Sequence, residues 1–411
     1  MIPVRTAFAI ILFFSIFIFP TTSHGQTANE AYNRGMHLMA AREYKLAIEA
    51  FDQAIERVSY FYEAHYERGR CNQHLNAFEE SVQDFTNALE HFPDFTDAYY
   101  QRGLSLSAMG KHNEAMEDFS QTIQLQPENP QPYLKRSEIH TRNSNTSLAI
   151  SDLSKVIELG HKNPNVFFNR GKLYEQKGKY SKALKDFSTA IEMDPIHAEA
   201  RLERGLILVY KEIYTEATED FSVAIEQGIE TQQIYQLRAD AAFNAQLYDT
   251  AIEDYTRLIN SFRQRNEQTH YQRALSYYYA EEYEASVRDF TRVIGLNRSH
   301  EEAYIYRAEA YHRLGRDSQA MVDYRIILRN NPNNAMAYEK RGLMLLETGK
   351  PDEALQDLNQ AIRLNPSAEA YFSRASIYAF QSNTRQACID LRQAAEMGHE
   401  QAQQMLSLHC P

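Results

Sequence analysis

The stretch AYYQRGLSLSAMGKHNEAMEDFSQTIQLQP, residues 98–127, decides the fold because a version of it recurs along most of the chain. Near its start an arginine precedes a small residue, and an aspartate follows that arginine sixteen positions later. The corresponding arginines are Arg34, Arg68, Arg102, Arg136, Arg170, Arg204, Arg238, Arg273, Arg307, Arg341 and Arg374. Their spacing of 33 to 35 residues indicates eleven stacked copies of one supersecondary unit, from about residue 28 to residue 396.

Each unit contains the pattern of two amphipathic helices. In the quoted unit, small and apolar residues recur at helical spacing up to Leu106, and a second series runs from Ala115 through Phe119. Gly110 lies where the first helix must end and the chain must reverse, and Pro127 ends the second helix. Because one helical hairpin cannot bury its own apolar faces, the units must stack, and we expect an all-α array.

These positions resemble the tetratricopeptide repeat, in which a small residue, an alanine twelve residues later and an aromatic residue four further on are typical. The small first-helix residues are Gly35, Gly69, Gly103, Ser137, Gly171, Gly205, Ala239, Ala274, Ala308, Gly342 and Ala375. The second-helix aromatic residues are Phe51, Phe85, Phe119, Phe187, Phe221, Tyr255, Phe290 and Tyr324. The resemblance implies a right-handed α–α superhelix of about eleven helix–turn–helix repeats plus a C-terminal capping helix. It also implies that the first helices line a concave face that binds peptides or protein segments.

The recurring arginine and aspartate predict a structural ion pair. The hairpin turn lies near the midpoint of each pair, so the two side chains should face each other at the same height on antiparallel helices. The aspartates are Asp84, Asp118, Asp152, Asp186, Asp220, Asp254, Asp289, Asp323, Asp357 and Asp390. A bidentate pair would fix the register of each hairpin. The alternative is a site for an acidic ligand at each arginine.

The N-terminal segment has the pattern of a secretory signal peptide at residues 1–25. Arg5 precedes an apolar run over residues 7–19, which is too short to span a bilayer as a helix. We expect cleavage between Gly25 and Gln26, and the alternative is an uncleaved membrane anchor. The repeat array would then occupy residues 26–396. The protein would be exported, that is periplasmic, secreted or associated with the envelope, with no membrane span remaining after cleavage.

The last residues, 397–411, predict a capping helix. Gly398 interrupts the helical pattern, and an amphipathic stretch follows in which Ala402, Met405 and Leu406 share one face while the other face is polar. Cys388 and Cys410 come level in an antiparallel helix pair, so a disulfide that ties the cap to the last repeat is expected in an oxidising compartment. Two buried free thiols are the alternative.

The concave face that the resemblance implies contains a row of aromatic residues. They occupy positions two before, or five and six after, the repeated arginines. The candidate binding residues are Tyr32, Tyr66, Tyr100, Phe168, Tyr210, Phe243, Tyr271, Tyr278, Tyr279 and Phe372. Aromatic rings on a rigid surface offer a large contact area at little cost in rotamer entropy. The alternative is that these rings only pack between neighbouring first helices.

The sequence offers no catalytic motif and predicts no cofactor and no metal site. No zinc-protease helix, phosphate-binding loop or nucleophile elbow is present. The net charge of −12 disfavours binding to nucleic acid, which requires an excess of Lys and Arg. No asparagine lies two residues after any repeated arginine, so the carboxylate clamp of chaperone-binding family members is not expected.

We therefore expect a non-enzymatic scaffold that binds a protein or peptide partner on its concave face, in the cell envelope or the secreted space. Two alternatives remain. The aromatic face could bind an envelope glycan, because aromatic rings also stack on sugars. The protein could also be a non-catalytic subunit of a secreted enzyme complex.

Overall fold

The computed structural model describes residues 24–410, and within that range the chain forms twenty-three α-helices and no strand. Helices α1 to α22 form eleven hairpins, and α23 follows them. The all-α class and the repeated helix–turn–helix organisation are therefore confirmed. The predicted signal peptide lies outside the described residues except for its last two, which belong to α1. That helix begins at His24 and includes the expected cleavage junction between Gly25 and Gln26.

The helices group into two compact units, one up to Met193 and one from Asp194. The first unit contains α1 (His24–Ala40), α2 (Tyr44–Arg57), α3 (Tyr62–His74), α4 (Phe78–His91), α5 (Thr96–Ala108), α6 (His112–Leu125), α7 (Pro130–Arg142), α8 (Thr146–Glu158), α9 (Pro164–Gln176) and α10 (Tyr180–Met193).

The second unit contains six first helices and six second helices, which alternate along the chain, followed by the final helix. They are α11 (Ala198–Tyr210), α12 (Tyr214–Glu226), α13 (Gln232–Asn244), α14 (Tyr248–Asn260), α15 (Glu267–Tyr279), α16 (Tyr283–Leu296), α17 (Glu301–Arg313), α18 (Asp317–Asn330), α19 (Ala335–Glu347), α20 (Pro351–Leu364), α21 (Ala368–Phe380), α22 (Thr384–Glu396) and α23 (Glu400–His409).

A close approach between a glycine and an aromatic ring forms the centre of several hairpins. A Cβ atom added to Gly103 would lie 2.8 Å from Cε1 of Phe119, a ring that is fully buried on the facing helix. Five hairpins have this glycine–phenylalanine contact. In these five hairpins the residue after the arginine is glycine because a Cβ atom there would displace the ring.

Each hairpin turn places one residue in the left-handed region of backbone conformation. These residues have φ values between 58° and 78° and recur with the period of the repeat. They are Arg42, Asn76, Gly110, Ser144, Gly178, Glu212, Gln246, Glu281, Gly315, Gly349 and Ser382. The sequence identified Gly110 in this role, but most turns adopt the same conformation with a residue that has a Cβ atom.

All ten predicted arginine–aspartate pairs are present, and the prediction of a repeated ion pair is confirmed. In each pair the guanidinium donates hydrogen bonds to both carboxylate oxygens of the aspartate sixteen residues later. The carboxylates are nearly excluded from solvent, so each arginine has its counter-ion within the hairpin. This geometry disfavours the alternative of an acidic-ligand site at every arginine.

The same arginines also connect successive hairpins, a contact that was not predicted from the repeat pattern. The third nitrogen, Nη1, donates to a side-chain oxygen on the second helix of the preceding hairpin. The pairs are Arg68–Asp52, Arg102–Thr86, Arg136–Ser120, Arg170–Ser154, Arg238–Ser222, Arg273–Thr256, Arg307–Thr291 and Arg374–Asn359. One arginine therefore links three helices. A hydroxyl one residue after the core aromatic, repeated every 34 residues, was the signal for this contact.

The final helix, α23, packs mainly against α22 along a narrow stripe. Ala402 is fully buried, Leu406 packs beside it, and Cys410 forms a disulfide with Cys388, with the two Cα atoms 5.6 Å apart. The expectation that Met405 packs inward is wrong, because Met405 is 43% exposed; the exposed face is polar except for Met405 and Leu408, which is 75% exposed. A helix packed along one narrow stripe buries residues four apart and leaves those beside them in solvent.

Candidate functional site

Within each unit, the first helices of successive hairpins contact one another. In the first unit α3 contacts α1 and α5, and in the second unit α17 contacts α15 and α19. The predicted binding residues lie on these first helices, all of which carry odd numbers. We call the side of each unit formed by these helices the inner side.

The four predicted residues of the first unit are half-buried and lie against the core. Each ring contacts the core aromatic ring of its own hairpin, with centroids 5.6 to 5.9 Å apart. The pairs are Tyr32–Phe51, Tyr66–Phe85, Tyr100–Phe119 and Phe168–Phe187. Part of each ring thus packs against the second helix of its own hairpin, which differs from the alternative of packing only between first helices, and part remains at the surface.

Two of these rings also bridge to the following hairpin. Tyr32 lies 5.0 Å from Phe61 and Tyr66 lies 4.7 Å from Phe95, measured between ring centroids. Burial raises the pKa of both Tyr32 and Tyr66 to about 12, so their hydroxyl groups stay protonated and can donate hydrogen bonds over the physiological range.

Two predicted residues of the second unit lie apart from the others. Tyr210, at the end of α11, is 71% exposed. Phe372 on α21 is stacked with His399, the residue that precedes the final helix, at a centroid distance of 4.2 Å. His399 also lies 3.4 Å from a carboxylate oxygen of Glu369. The face of Phe372 is therefore covered by the cap, whereas Tyr210 is open to solvent.

Five aromatic residues in the middle of the second unit form one continuous surface cluster, which we call the aromatic patch. It consists of Phe243, Tyr248, Tyr278, Tyr279 and Tyr306. Tyr279 is 44% exposed, and the other four are half-buried. Three of them belong to the set predicted from the sequence, while Tyr248 and Tyr306 were missed.

Direct ring contacts join the members of the aromatic patch across three hairpins. Tyr279 is stacked on Tyr248 at 5.6 Å and meets Phe243 edge to face at 5.9 Å. Tyr278 meets both Tyr279 and Tyr306 edge to face, each with centroids 5.4 Å apart. Such edge-to-face pairs are the favoured geometry for aromatic side chains and hold the rings in place.

The patch is bordered by another predicted residue, Tyr271, and by carboxylates. The Tyr271 hydroxyl donates a hydrogen bond of 2.9 Å to Glu302, and the buried Tyr255 hydroxyl donates one of 2.6 Å to Asp240. Burial and then the nearby Glu302 raise the pKa of Tyr271. Negative charge therefore lies beside rings that themselves stay neutral.

The same pattern holds inside the patch. Burial raises the pKa of Tyr278, and the Glu309 carboxylate raises it further, while Arg313 acts in the opposite direction. The pKa of Tyr306 is also raised, first by burial and then by its contact with Tyr279. Glu309 has an ion-pair partner, since Lys340 lies 3.0 Å away.

Comparison of the repeats shows that the fold does not require the rings of Tyr278 and Tyr306. Tyr278 stands five residues after its arginine, where the first unit has Met39, Gln73, Ser107, Thr141 and Glu175. Tyr306 precedes its arginine directly, where no other repeat has an aromatic residue. This departure from the repeat pattern is the signal that could have identified Tyr306. The extra rings occur together in three consecutive hairpins.

Among residues 24–410, no three His, Cys, Asp or Glu side chains come together in a way that could hold a metal ion. None of the helices in that range combines the length and the apolar character needed to cross a bilayer.

Models of the tetratricopeptide repeat match the chain at residues 32–94, 96–129, 164–197, 271–335, 322–369 and 339–398. No curated protein matches it.

Several solved structures are similar to the chain at a distance. A tetratricopeptide repeat protein from Parabacteroides merdae is 20% identical with a TM-score of 0.45, and the match covers 60% of this chain and 99% of that one. Yeast Tom70 is 16% identical with a TM-score of 0.40, over 93% of this chain and 96% of that one. The pilF protein of Pseudomonas aeruginosa is 17% identical with a TM-score of 0.40, over 49% and 92% of the two chains. These similarities are too distant to indicate a function.

The family assignment rests on the chain itself. The matched segments cover more than half of its length, and the structure shows the paired helices that the repeat implies. The chain belongs to the tetratricopeptide repeat family.

Proposed function

We propose that the protein is a non-enzymatic scaffold that holds an extended segment of a protein or peptide partner on the inner side of its second unit. The observation that supports this is the aromatic patch, whose rings come from three hairpins and include Tyr278 and Tyr306, which depart from the repeat pattern. Aromatic anchors held in fixed positions are the side chains that most often dominate protein interfaces.

The segment over residues 1–25 supports export, and we propose that the scaffold acts in the periplasm, in the secreted space or at the envelope. The short apolar run with a single preceding arginine has the composition of a cleaved secretory signal. N-terminal sequencing of the protein recovered from fractionated cells tests this. A mature chain that begins at Gln26 supports export, and an intact N-terminus in the cytoplasmic fraction contradicts it.

The binding surface is tested by cross-linking in the native envelope, followed by identification of the attached protein. The double variant Phe243→Ala/Tyr279→Ala should lose the cross-linked partner. The variant Val322→Ala is a matched control, because this side chain is 49% exposed on the second helix α18. If both proteins capture the same partner in the same yield, the inner side of the second unit is not the binding surface.

A further inference from the structure

The charged side chains around the aromatic patch indicate which kind of ligand it would bind. Asp240 on α13 and Glu302 on α17 have exposed side chains at its border, and Glu281 and Glu282 are exposed in the turn that follows Tyr279. Glu309 is a fifth carboxylate; it is paired with Lys340, and Arg313 lies near Tyr278. The surface therefore combines ring faces with an excess of negative charge.

Ring faces and carboxylates attract the same kind of ligand group. The face of a tyrosine ring carries the negative end of its quadrupole and binds an ammonium or guanidinium group within about 6 Å. A carboxylate beside the ring adds a charge-assisted hydrogen bond to the same group. Tyrosine rings in this chain already accept arginines in this way, since the Arg257 guanidinium lies 4.6 Å from the centroid of Tyr235.

An anionic or neutral ligand would lack this complementarity. An acidic segment would be repelled by the border carboxylates, and a neutral segment would contact the rings without gaining from the charges. Hydrogen bonds fix two of these carboxylates, because Asp240 accepts from Tyr255 and Gln236, and Glu302 accepts from Tyr271. Their position therefore does not depend on a ligand, and they can select one.

We infer that the aromatic patch binds a cationic peptide segment, with Lys or Arg side chains lying over the tyrosine rings and against Asp240, Glu302 and Glu309. This inference rests on the proposed function and adds to it the charge of the partner. The carboxylates would select for positive charge, and the rings would provide the contact area.

Three extended peptides of equal length test the inference, in which proline alternates with lysine, with glutamine or with glutamate. Binding to the full chain is followed by the fluorescence anisotropy of a label on each peptide. The lysine peptide should bind about tenfold more tightly than the glutamine peptide, and added salt should reduce this difference. The glutamate peptide should bind most weakly.

Two variants separate the roles of charges and rings. Glu302→Gln/Glu309→Gln should remove the preference for lysine over glutamine while leaving the rings in place. Phe243→Ala/Tyr279→Ala should weaken the binding of both the lysine peptide and the glutamine peptide. Glu219→Gln/Glu253→Gln is the control for net charge, because both glutamates are exposed on second helices, and it should leave the preference unchanged.

The outcomes distinguish this inference from the proposed function. Equal binding of the lysine and glutamine peptides, lost in the ring variant, overturns the selection for cations and supports a peptide-binding scaffold. Tighter binding of the glutamate peptide, or no binding of the lysine peptide, also overturns the inference. Neither result affects the cross-linking comparison, which tests the proposed function by itself.

Discussion

Arg136 and Asp152, sixteen residues apart in the chain, are joined by two hydrogen bonds, one of 2.9 Å from Nε and one of 2.7 Å from Nη2. The remaining nitrogen, Nη1, donates a bond of 3.0 Å to Ser120 on the preceding hairpin. The Arg136 side chain is 23% exposed and that of Asp152 is 7% exposed. One guanidinium thus fixes the register of its own hairpin and its position against the previous one.

Removal of the aspartate alone should lower the free energy of unfolding more than removal of the whole ion pair. Asp152→Ala leaves Arg136 without its counter-ion, and we expect the free energy of unfolding to fall by about 3 kcal/mol. The double variant Arg136→Leu/Asp152→Leu removes both charges and should recover much of that loss. Chemical denaturation followed by circular dichroism measures both effects.

A surface ion pair in the same helix provides the control for this experiment. Lys135 lies 2.9 Å from Glu138, and both side chains are exposed to solvent. Lys135→Ala should change the free energy of unfolding by less than about 0.5 kcal/mol. An effect of Asp152→Ala as small as that of Lys135→Ala would contradict the structural role of the buried pair.

The arginine network also shows how far the sequence could predict this fold. The aspartate was predictable because it recurs at a fixed distance, and a fixed distance across a turn means facing positions. The partner of Nη1 was missed because Ser120 belongs to the previous repeat, and its hydroxyl has no obvious role within one hairpin. The contacts between successive hairpins depend on how the hairpins stack, and the sequence pattern of a single repeat does not contain that information.

The aromatic patch was only partly predictable for a similar reason. Phe243, Tyr278 and Tyr279 stand at inner positions that the family resemblance implies. Tyr248 is the first residue of a second helix, and it joins the patch through Phe243 of its own hairpin and through Tyr279 of the next, which stacks on it. A pattern of positions locates the inner side, but the rings that meet there depend on how neighbouring hairpins pack.

The hairpin turns offer a test of backbone strain. Gln246 has φ of 61°, a conformation that costs a residue with a Cβ atom about 1 kcal/mol, and its side chain is exposed. Gln246→Gly should therefore raise the free energy of unfolding by about 0.5 kcal/mol, since the greater freedom of glycine in the unfolded chain offsets part of the gain.

The reverse substitution is available in the same unit. Gly349 has φ of 75° and no atom within 4 Å of the position that a Cβ would occupy. Gly349→Ala should lower the free energy of unfolding by about 1 kcal/mol through the backbone alone. In thermal denaturation, Gln246→Gly should raise the midpoint and Gly349→Ala should lower it. Changes in the same direction would contradict the role assigned to the left-handed backbone conformation.

The disulfide between Cys388 and Cys410 should hold the final helix in place. It spans 22 residues of sequence, and closure of a loop of that size stabilises by about 3 kcal/mol in the chain-entropy model. Cys388→Ser/Cys410→Ser should increase amide hydrogen exchange in α22 and α23 and leave α13 to α17 unchanged.

Reduction of the wild-type protein under native conditions should reproduce the exchange pattern of the double serine variant. A distant thiol serves as the control, because Cys71 is buried in the first unit and forms no disulfide. Cys71→Ser should not alter exchange in α22 or α23. If reduction leaves the final helix as protected as before, the packing of Ala402 and Leu406 is sufficient to hold it.

His312 links two consecutive hairpins in a way that depends on pH. Its Nδ1 lies 2.6 Å from Asp317 at the start of α18, and its Nε2 lies 2.9 Å from Glu347 at the end of α19. A neutral imidazole has one N–H group, so only the protonated ring can donate to both carboxylates. Burial opposes the charge, but the bonds to Asp317 and Glu347 outweigh it and raise the pKa of His312.

The sign of the resulting pH dependence follows from this raised pKa. The stabilisation is fully present below the pKa of an unfolded histidine, about 6.5, and is lost as the pH rises through the higher pKa of the folded state. His312→Asn should thus lower the denaturation midpoint clearly at about pH 6 and much less at about pH 9. His37→Asn, at an exposed position on α1, is the matched control for the loss of a histidine. An equal loss at both pH values for His312→Asn would mean that the ring contributes by packing and not by its charge.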